Sequence, residues 1–146
     1  MVRSSSKSLS SEDKQVDYDQ YVALAHGAAQ LVEQEQYAAA LAQFQALTTS
    51  DISDIDKAMA YYNMAFVLEQ VGQNQEALAS YDKGISYERM HSRFFVTEQK
   101  AAYLARLGRN QESLRLYEDL LTKRFLQEED TYRIRHNIQV LRDALQ

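Results

Sequence analysis

The chain has 146 residues, 45% of them apolar, with no cysteine, no proline and a net charge of −5. That apolar share supports a packed core in one domain and excludes a disordered chain, while the missing cysteine excludes disulfides, thiolate metal sites and cysteine catalysis. The acidic balance argues against a nucleic-acid partner, no apolar run reaches the ~18 residues of a membrane span, and the opening MVRSSSKSLSSED lacks the apolar core of a secretory signal, so a cytoplasmic location is the expectation.

Residues 1–10 are Ser-rich and expected to be flexible, leaving residues 11–146 as a single domain. Ser10 with Asp13 is a capping pattern, and a first helix is expected from about Ser11 or Asp17 to Gln34, with Leu24, Gly27, Ala28 and Leu31 on one face. Glu35-Gln36 is the turn, and a second helix, Tyr37 to Thr48, presents Ala40, Leu41, Phe44 and Leu47. Turn and cap residues then cluster at Thr49, Ser50, Asp51, Ser53 and Asp54. Ser53 with Asp56 opens a third helix running from Asp54 to Val71, and Gly72 stands where the left-handed residue after a helix belongs. Asn74 is the expected N-cap of a fourth helix that ends near Tyr87. A fifth helix spans about Ser92 to Leu107, closed by Gly108, and Asn110 is the expected cap of a sixth that ends near Lys123. Phe125 and Leu126 are expected to tuck beneath the helices. Asp130 is the expected cap of a last helix, Thr131 to Leu145, with a stripe at Ile134, Ile138, Leu141 and Leu145.

The middle of the chain is copied. Gly72-Gln73-Asn74-Gln75-Glu76-Ala77-Leu78 returns 36 residues later as Gly108-Arg109-Asn110-Gln111-Glu112-Ser113-Leu114, and a weaker copy, Glu35 to Leu41, lies 37 residues upstream. A period this long marks stacked helical hairpins, none of which can bury its apolar face alone. Aligning the copies gives small residues at Ala28, Ala65 and Ala101 and at Ala40, Ala77 and Ser113. Small side chains there let the paired backbones approach closely. Leu31, Leu68 and Leu104, with Leu41, Leu78 and Leu114, fill the remaining space, and Phe44, Tyr81 and Tyr117 form an aromatic column that packs onward.

These columns resemble the tetratricopeptide repeat (TPR) family, whose unit is a helix–turn–helix of ~34 residues. The resemblance covers about Val22 to Leu121. It implies an all-α, right-handed solenoid of helical hairpins: three TPR-like repeats at about 21–50, 58–87 and 94–123, plus a capping helix at about 130–145. The chain departs from the family in lacking the proline that usually ends a repeat, in having Glu35 where the first turn would carry glycine, and in placing Leu47 and Leu120 where a small residue is usual.

The resemblance also implies a function: a non-enzymatic adaptor that binds a peptide or helix of another protein in a concave groove lined by the first helix of each repeat. The helix faces left over by the core supply His26, Met59, Tyr62, Asn63, Phe66, Phe95, Gln99 and Arg106, with Val22, Ala25, Ala29, Val32 and Glu33 in the first repeat and Glu69, Gln70, Glu98, Ala102 and Ala105 in the others. Some relatives clamp chaperone C-terminal carboxylates with Lys, Asn and Arg; the matching positions here are Ala25, Ala29, Asn63, Phe95 and Gln99, of which only Asn63 fits. The groove instead suits an apolar or helical segment. Two alternatives stay open: a dedicated chaperone similar to the class II chaperones of type III secretion, and a structural subunit that self-associates.

Other chemistry is sparse. His26, His91 and His136 make no metal-ligand spacing, no glycine-rich phosphate loop occurs and no serine sits in a nucleophile elbow. No catalytic residue, metal or cofactor is expected. Charge is uneven: residues 1–56 carry 3 basic and 9 acidic side chains, residues 57–122 carry 8 of each, and residues 123–146 carry 5 and 4. Lys123, Arg124, Arg133, Arg135, His136 and Arg142 make the C-terminal region locally basic, either as a solvated surface or as a patch for an acidic partner.

Overall fold

The computed structural model describes residues 18–124 and 126–146. The Ser-rich start, the Ser10–Asp13 cap, the helix start near Ser11 or Asp17 and the packing of Phe125 lie outside those residues. Every regular element among the described residues is an α-helix: α1 (Tyr18–Glu33), α2 (Tyr37–Thr48), α3 (Asp54–Gln70), α4 (Asn74–Arg89), α5 (Phe95–Arg106), α6 (Asn110–Leu120) and α7 (Glu128–Ala144). The protein is all-α, and successive helices pack as hairpins. The chain forms two compact units, one ending at Tyr87 and the other running from Glu88 to Gln146, with the division inside the last turn of α4.

In the first unit α1 packs on α2 and α2 on α3. Their shared core is Ala28, Ala40, Phe44, Leu47, Ala60 and Val67. Burial of each large member contributes about 1.5–3 kcal/mol. Polar and aromatic contacts join α3 to α4. The Tyr81 hydroxyl donates to Glu69 Oε2 at 3.2 Å, and the Tyr61 and Tyr87 rings stack with centroids 5.8 Å apart. Tyr21, half-buried on α1, reaches Asp56 on α3; burial first, then the neighbouring carboxylate, pushes its hydroxyl up to about 12.

In the second unit α5 packs on α6 and α6 on α7, around Ala101, Leu114, Tyr117, Leu120, Ile134, Ile138 and Leu141. The last helix therefore covers α6 with three members of its expected stripe. The fourth, Leu145, is exposed, because α7 ends at Ala144 and Leu145 is its C-cap residue. Leu24 on α1 is likewise exposed rather than core.

The small columns account for the close approach of paired helices. Ala28, Ala40, Ala65, Ala77, Ala101 and Ser113 all have 0% exposure, so no added methyl would find room. Ser113 is the polar member, and its hydroxyl donates to the Ala101 carbonyl at 2.6 Å. A serine fits an alanine column because its oxygen is satisfied within the pair of helices. The aromatic column Phe44, Tyr81 and Tyr117 is buried throughout.

One turn geometry ends four helices. At α1, α3 and α5 the paired bonds are Gln36 N–H to Leu31 C=O with Glu35 N–H to Val32 C=O, Gln73 to Leu68 with Gly72 to Glu69, and Arg109 to Leu104 with Gly108 to Ala105. This is the Schellman arrangement, which needs a left-handed residue just past the helix. Gly72 and Gly108 supply it at φ 79, and Glu35 supplies it at φ 58 without being glycine. The fourth instance follows α4, where Arg93 N–H bonds Glu88 C=O, Ser92 N–H bonds Arg89 C=O, and Ser92 sits at φ 54. Ser92 is therefore a turn residue, and α5 starts at Phe95, not at Ser92.

Helix starts agree with the sequence at one cap and differ at three: α4 begins at Asn74 itself, and the Ala77 N–H bonds the Gln73 carbonyl, so Asn74 is the first helical residue and not the cap. Ser53 caps α3, its hydroxyl accepting the Asp56 N–H at 3.1 Å. The cap of α6 is Arg109, not Asn110; the Arg109 guanidinium grips Glu112 through two bonds of 2.7 Å. The cap of α7 is Gln127, not Asp130, which lies within the first turn and accepts from Arg133. At the other end of α2 a hydroxyl run closes the helix, with Thr48 donating to Gln45 C=O and Thr49 and Ser50 to Ala46 C=O.

Candidate functional site

Of the expected binding residues, His26 lies on α1, Met59, Tyr62, Asn63 and Phe66 on α3, and Phe95, Gln99 and Arg106 on α5, and each unit contributes its own surface. In the first unit Ala29, Val32 and Glu33 of α1, Phe44 of α2, and Asn63 and Phe66 of α3 line a depression of about 250 Å³. Its floor is the buried ring of Phe44. Phe66 remains 40% exposed, so a large apolar side chain stands open to solvent beside that floor. Asn63 and Phe66 are three residues apart and share a helix face. The Asn63 amide can donate and accept at the rim of an otherwise apolar hollow.

Tyr62 does not join them in lining this hollow. Its ring lies 6.3 Å from that of Tyr81, the buried aromatic of α4. One residue along a helix is a rotation of about 100°, which turns Tyr62 toward α4 while Asn63 faces α1. Met59 is half-buried on α3, and His26 is exposed on α1.

In the second unit a cleft of about 510 Å³ is lined by Phe94, Phe95 and Glu98 at the start of α5, Leu126 and Gln127 before α7, and Asp130, Arg133 and Ile134 within it, with Ser92 and Arg93 at one end. Phe95 is 45% exposed. Arg133 forks onto Glu98, Nε to Oε2 at 2.5 Å and Nη2 to Oε1 at 2.8 Å, and also reaches Asp130 Oδ1 at 2.6 Å. The bonds to Glu98 and then Asp130 hold its guanidinium well above the ordinary arginine value. Gln99 is half-buried, and Arg106 is exposed with its guanidinium 5.6 Å from the Tyr103 ring centre.

Three of the six basic residues of the C-terminal region are paired. Besides Arg133, Lys123 lies 3.4 Å from Asp119 and Arg142 lies 2.7 Å from Glu118. These pairings engage Lys123, Arg133 and Arg142 within the protein. Asp130 and Arg133 have the i, i+3 spacing of a helix pair and were readable as such. Their engagement of Glu98, 35 residues away, was not.

A mostly apolar trough of about 490 Å³ also opens in the first unit, lined by Leu41, Ala42 and Gln45 of α2, Met64 and Leu68 of α3, and Glu76, Ala79 and Ser80 of α4. Leu41, expected as core filler, is half-buried there. Among the described residues no three His, Asp or Glu side chains gather as a metal site requires. No described helix is long and apolar enough to cross a membrane.

Fold and surface together define an all-α protein of packed helical hairpins whose outward aromatic side chains border shallow apolar hollows. Residues 26–123 match the family described as a domain of unknown function, DUF6340, and the chain belongs to that family. The match runs from within α1 to just past α6. A search of curated proteins finds none that matches the chain.

Proposed function

We propose that this protein is a TPR-like, non-enzymatic interaction module that holds a segment of another protein against the exposed faces of α1 and α3 in its first unit. The observation that carries this reading is Phe66, 40% exposed at the edge of a hollow floored by Phe44, with the Asn63 amide beside it. An exposed aromatic bordering a pre-formed apolar pocket is the usual anatomy of an interface hot spot. Three hairpins with matched small columns, all fully buried, support the TPR-like reading of the packing. Phe95 offers a comparable aromatic in the second unit, next to the Glu98–Arg133 pair.

The test is capture of partners by the wild-type chain and by Phe66→Ala, followed by a binding isotherm against the captured protein. Affinity should fall by at least ~2 kcal/mol in the variant, the scale of a hot spot. Equal affinity in a folded variant would remove Phe66 from the binding surface. Substrate turnover by the purified chain in a broad activity screen would overturn the non-enzymatic reading.

A further inference from the structure

The hollow beside Phe66 has a chemistry narrower than "protein-binding". Resting on the interaction-module reading, we propose that it takes a cationic segment that inserts one large apolar side chain. Three observations converge. First, about 250 Å³ is below the ~300–1,000 Å³ of small-molecule sites and suits a single side chain. Second, the walls are Ala29, Val32, Phe44 and Phe66, with Asn63 able to bond the backbone flanking an inserted group.

Third, the unit that holds the hollow is acidic. Residues 18–87 carry 9 Asp and Glu against 2 Lys, whereas residues 88–146 carry 9 against 11 Lys and Arg. The negative field thus belongs to the unit that holds the hollow. Glu33 lines the hollow itself, and Glu69 follows Phe66 by three residues on α3. Of the two lysines, Lys57 lies over the Tyr87 ring at 5.6 Å and is thereby directed to the contact between α3 and α4. A field of one sign steers oppositely charged segments in and repels like-charged ones. The apolar anchor then supplies affinity that charge alone, screened over ~10 Å at 0.1 M salt, does not.

The experiment uses the full chain and labelled 12-residue peptides in fluorescence anisotropy. One peptide has a central Phe flanked by Lys and Gln, a second has the same Phe flanked by Glu and Gln, and a third has Ala at the centre of the Lys flanks. The Lys–Phe peptide should bind at least about tenfold more tightly than either of the others. Phe66→Ala should lose about tenfold in affinity, and Glu33→Gln a smaller, salt-dependent part. Ala29→Phe, which fills the hollow from α1 and keeps Phe66, should also abolish anchor-dependent binding, so a folding defect in one variant does not decide the matter.

Equal binding of the Phe- and Ala-centred Lys peptides would mean plain charge attraction and overturn the proposal. Phe66-dependent binding of the Glu-flanked peptide would overturn it while leaving the interaction-module reading intact. Binding of none of the peptides, with a captured partner still lost on Phe66→Ala, would do the same. A chain that sediments as a dimer and turns monomeric on Ala29→Phe would name a second copy as the occupant, and the proposal would fall.

Discussion

Glu88 in the last turn of α4 caps the start of α5, its carboxylate accepting the Thr97 N–H at 3.0 Å. The Val96 N–H bonds the other oxygen at 2.9 Å, and the Thr97 hydroxyl adds a third contact at 3.2 Å. Phe94, the cap residue of α5, has no side-chain bond to offer, so the exposed N–H groups of that helix depend on a residue from the helix before it. Glu88 is 2% exposed. Glu88→Ala should therefore destabilise by about 2–3 kcal/mol, combining a lost cap with buried donors left unmade. A denaturant midpoint equal to wild type would show that water replaces the carboxylate.

The same residue has a pH signature. Burial raises the Glu88 carboxyl above its ordinary value, opposed by the N–H groups of Val96, Thr97 and Phe95 and by the Thr97 hydroxyl. For a group whose pKa is raised on folding, the linked stability is fully present below the unfolded value and is lost as pH rises through the folded value. The stability of wild type relative to Glu88→Gln should thus be greatest in acid and decline as pH rises past the ordinary glutamate range. Melts of both proteins across that range provide the check; a difference that grows with pH would reverse the sign.

The left-handed turns make a separate prediction. Glu35 holds φ 58 where Gly72 and Gly108 hold φ 79. A left-handed backbone costs an L-residue about 1–2 kcal/mol, offset by the ~0.5–1 kcal/mol of extra chain entropy that glycine loses on folding. Glu35→Gly should stabilise by up to about 1 kcal/mol. Gly72→Ala should destabilise by about 1 kcal/mol through backbone strain, since nothing lies within 4 Å of the added Cβ. Opposite shifts in thermal midpoint are the expected result.

The aromatic and small columns should respond as core. Phe44→Ala and Tyr81→Ala should each destabilise by about 3–5 kcal/mol. Tyr81→Ala also leaves Glu69 without the hydroxyl that donates to it. Ala65→Leu, at a position with no exposed surface, should destabilise by ~1–3 kcal/mol through overpacking. Unchanged denaturant midpoints in these variants would contradict the packing.

What the sequence made legible follows from what is local. The turn glycines announce a left-handed backbone, and the recurring Ala and aromatic columns announce a buried helix face, because both constraints act within one hairpin. Ser92 and Glu88 were not legible. Nothing in a serine signals φ 54, and the role of Glu88 exists only once the Ser92 turn has brought the first N–H groups of α5 to its carboxylate. Asn110 and Asp130 misled for a related reason. A good cap residue in sequence does not fix where the helix begins when the carbonyl of an earlier residue already accepts the first helical bond, as Arg109 does from Ser113 and Gln127 from Thr131. The candidate site was legible as a set of helix faces, but not the separation of Tyr62 from Phe66. Helical spacing puts the two one turn apart, and only the position of Tyr81 decides which way the Tyr62 ring turns.

That separation sets the last prediction. Tyr62 and Phe66, four residues apart on α3, are both among the groove residues that helical spacing supplies. Tyr62 is half-buried with its ring 6.3 Å from Tyr81, whereas Phe66 is 40% exposed and borders the hollow. An aromatic pair of this kind contributes about 0.5–1.5 kcal/mol beyond area burial. Tyr62→Ala should therefore destabilise by about 1–3 kcal/mol, and Phe66→Ala by less than about 1 kcal/mol. Binding should divide the other way, with Phe66→Ala losing at least ~2 kcal/mol of affinity and Tyr62→Phe, which keeps the ring, losing little. Denaturant melts and isotherms on the single variants resolve the two roles. Severe unfolding of Phe66→Ala would make that ring core. Loss of binding in a folded Tyr62→Phe would restore its hydroxyl to the partner surface.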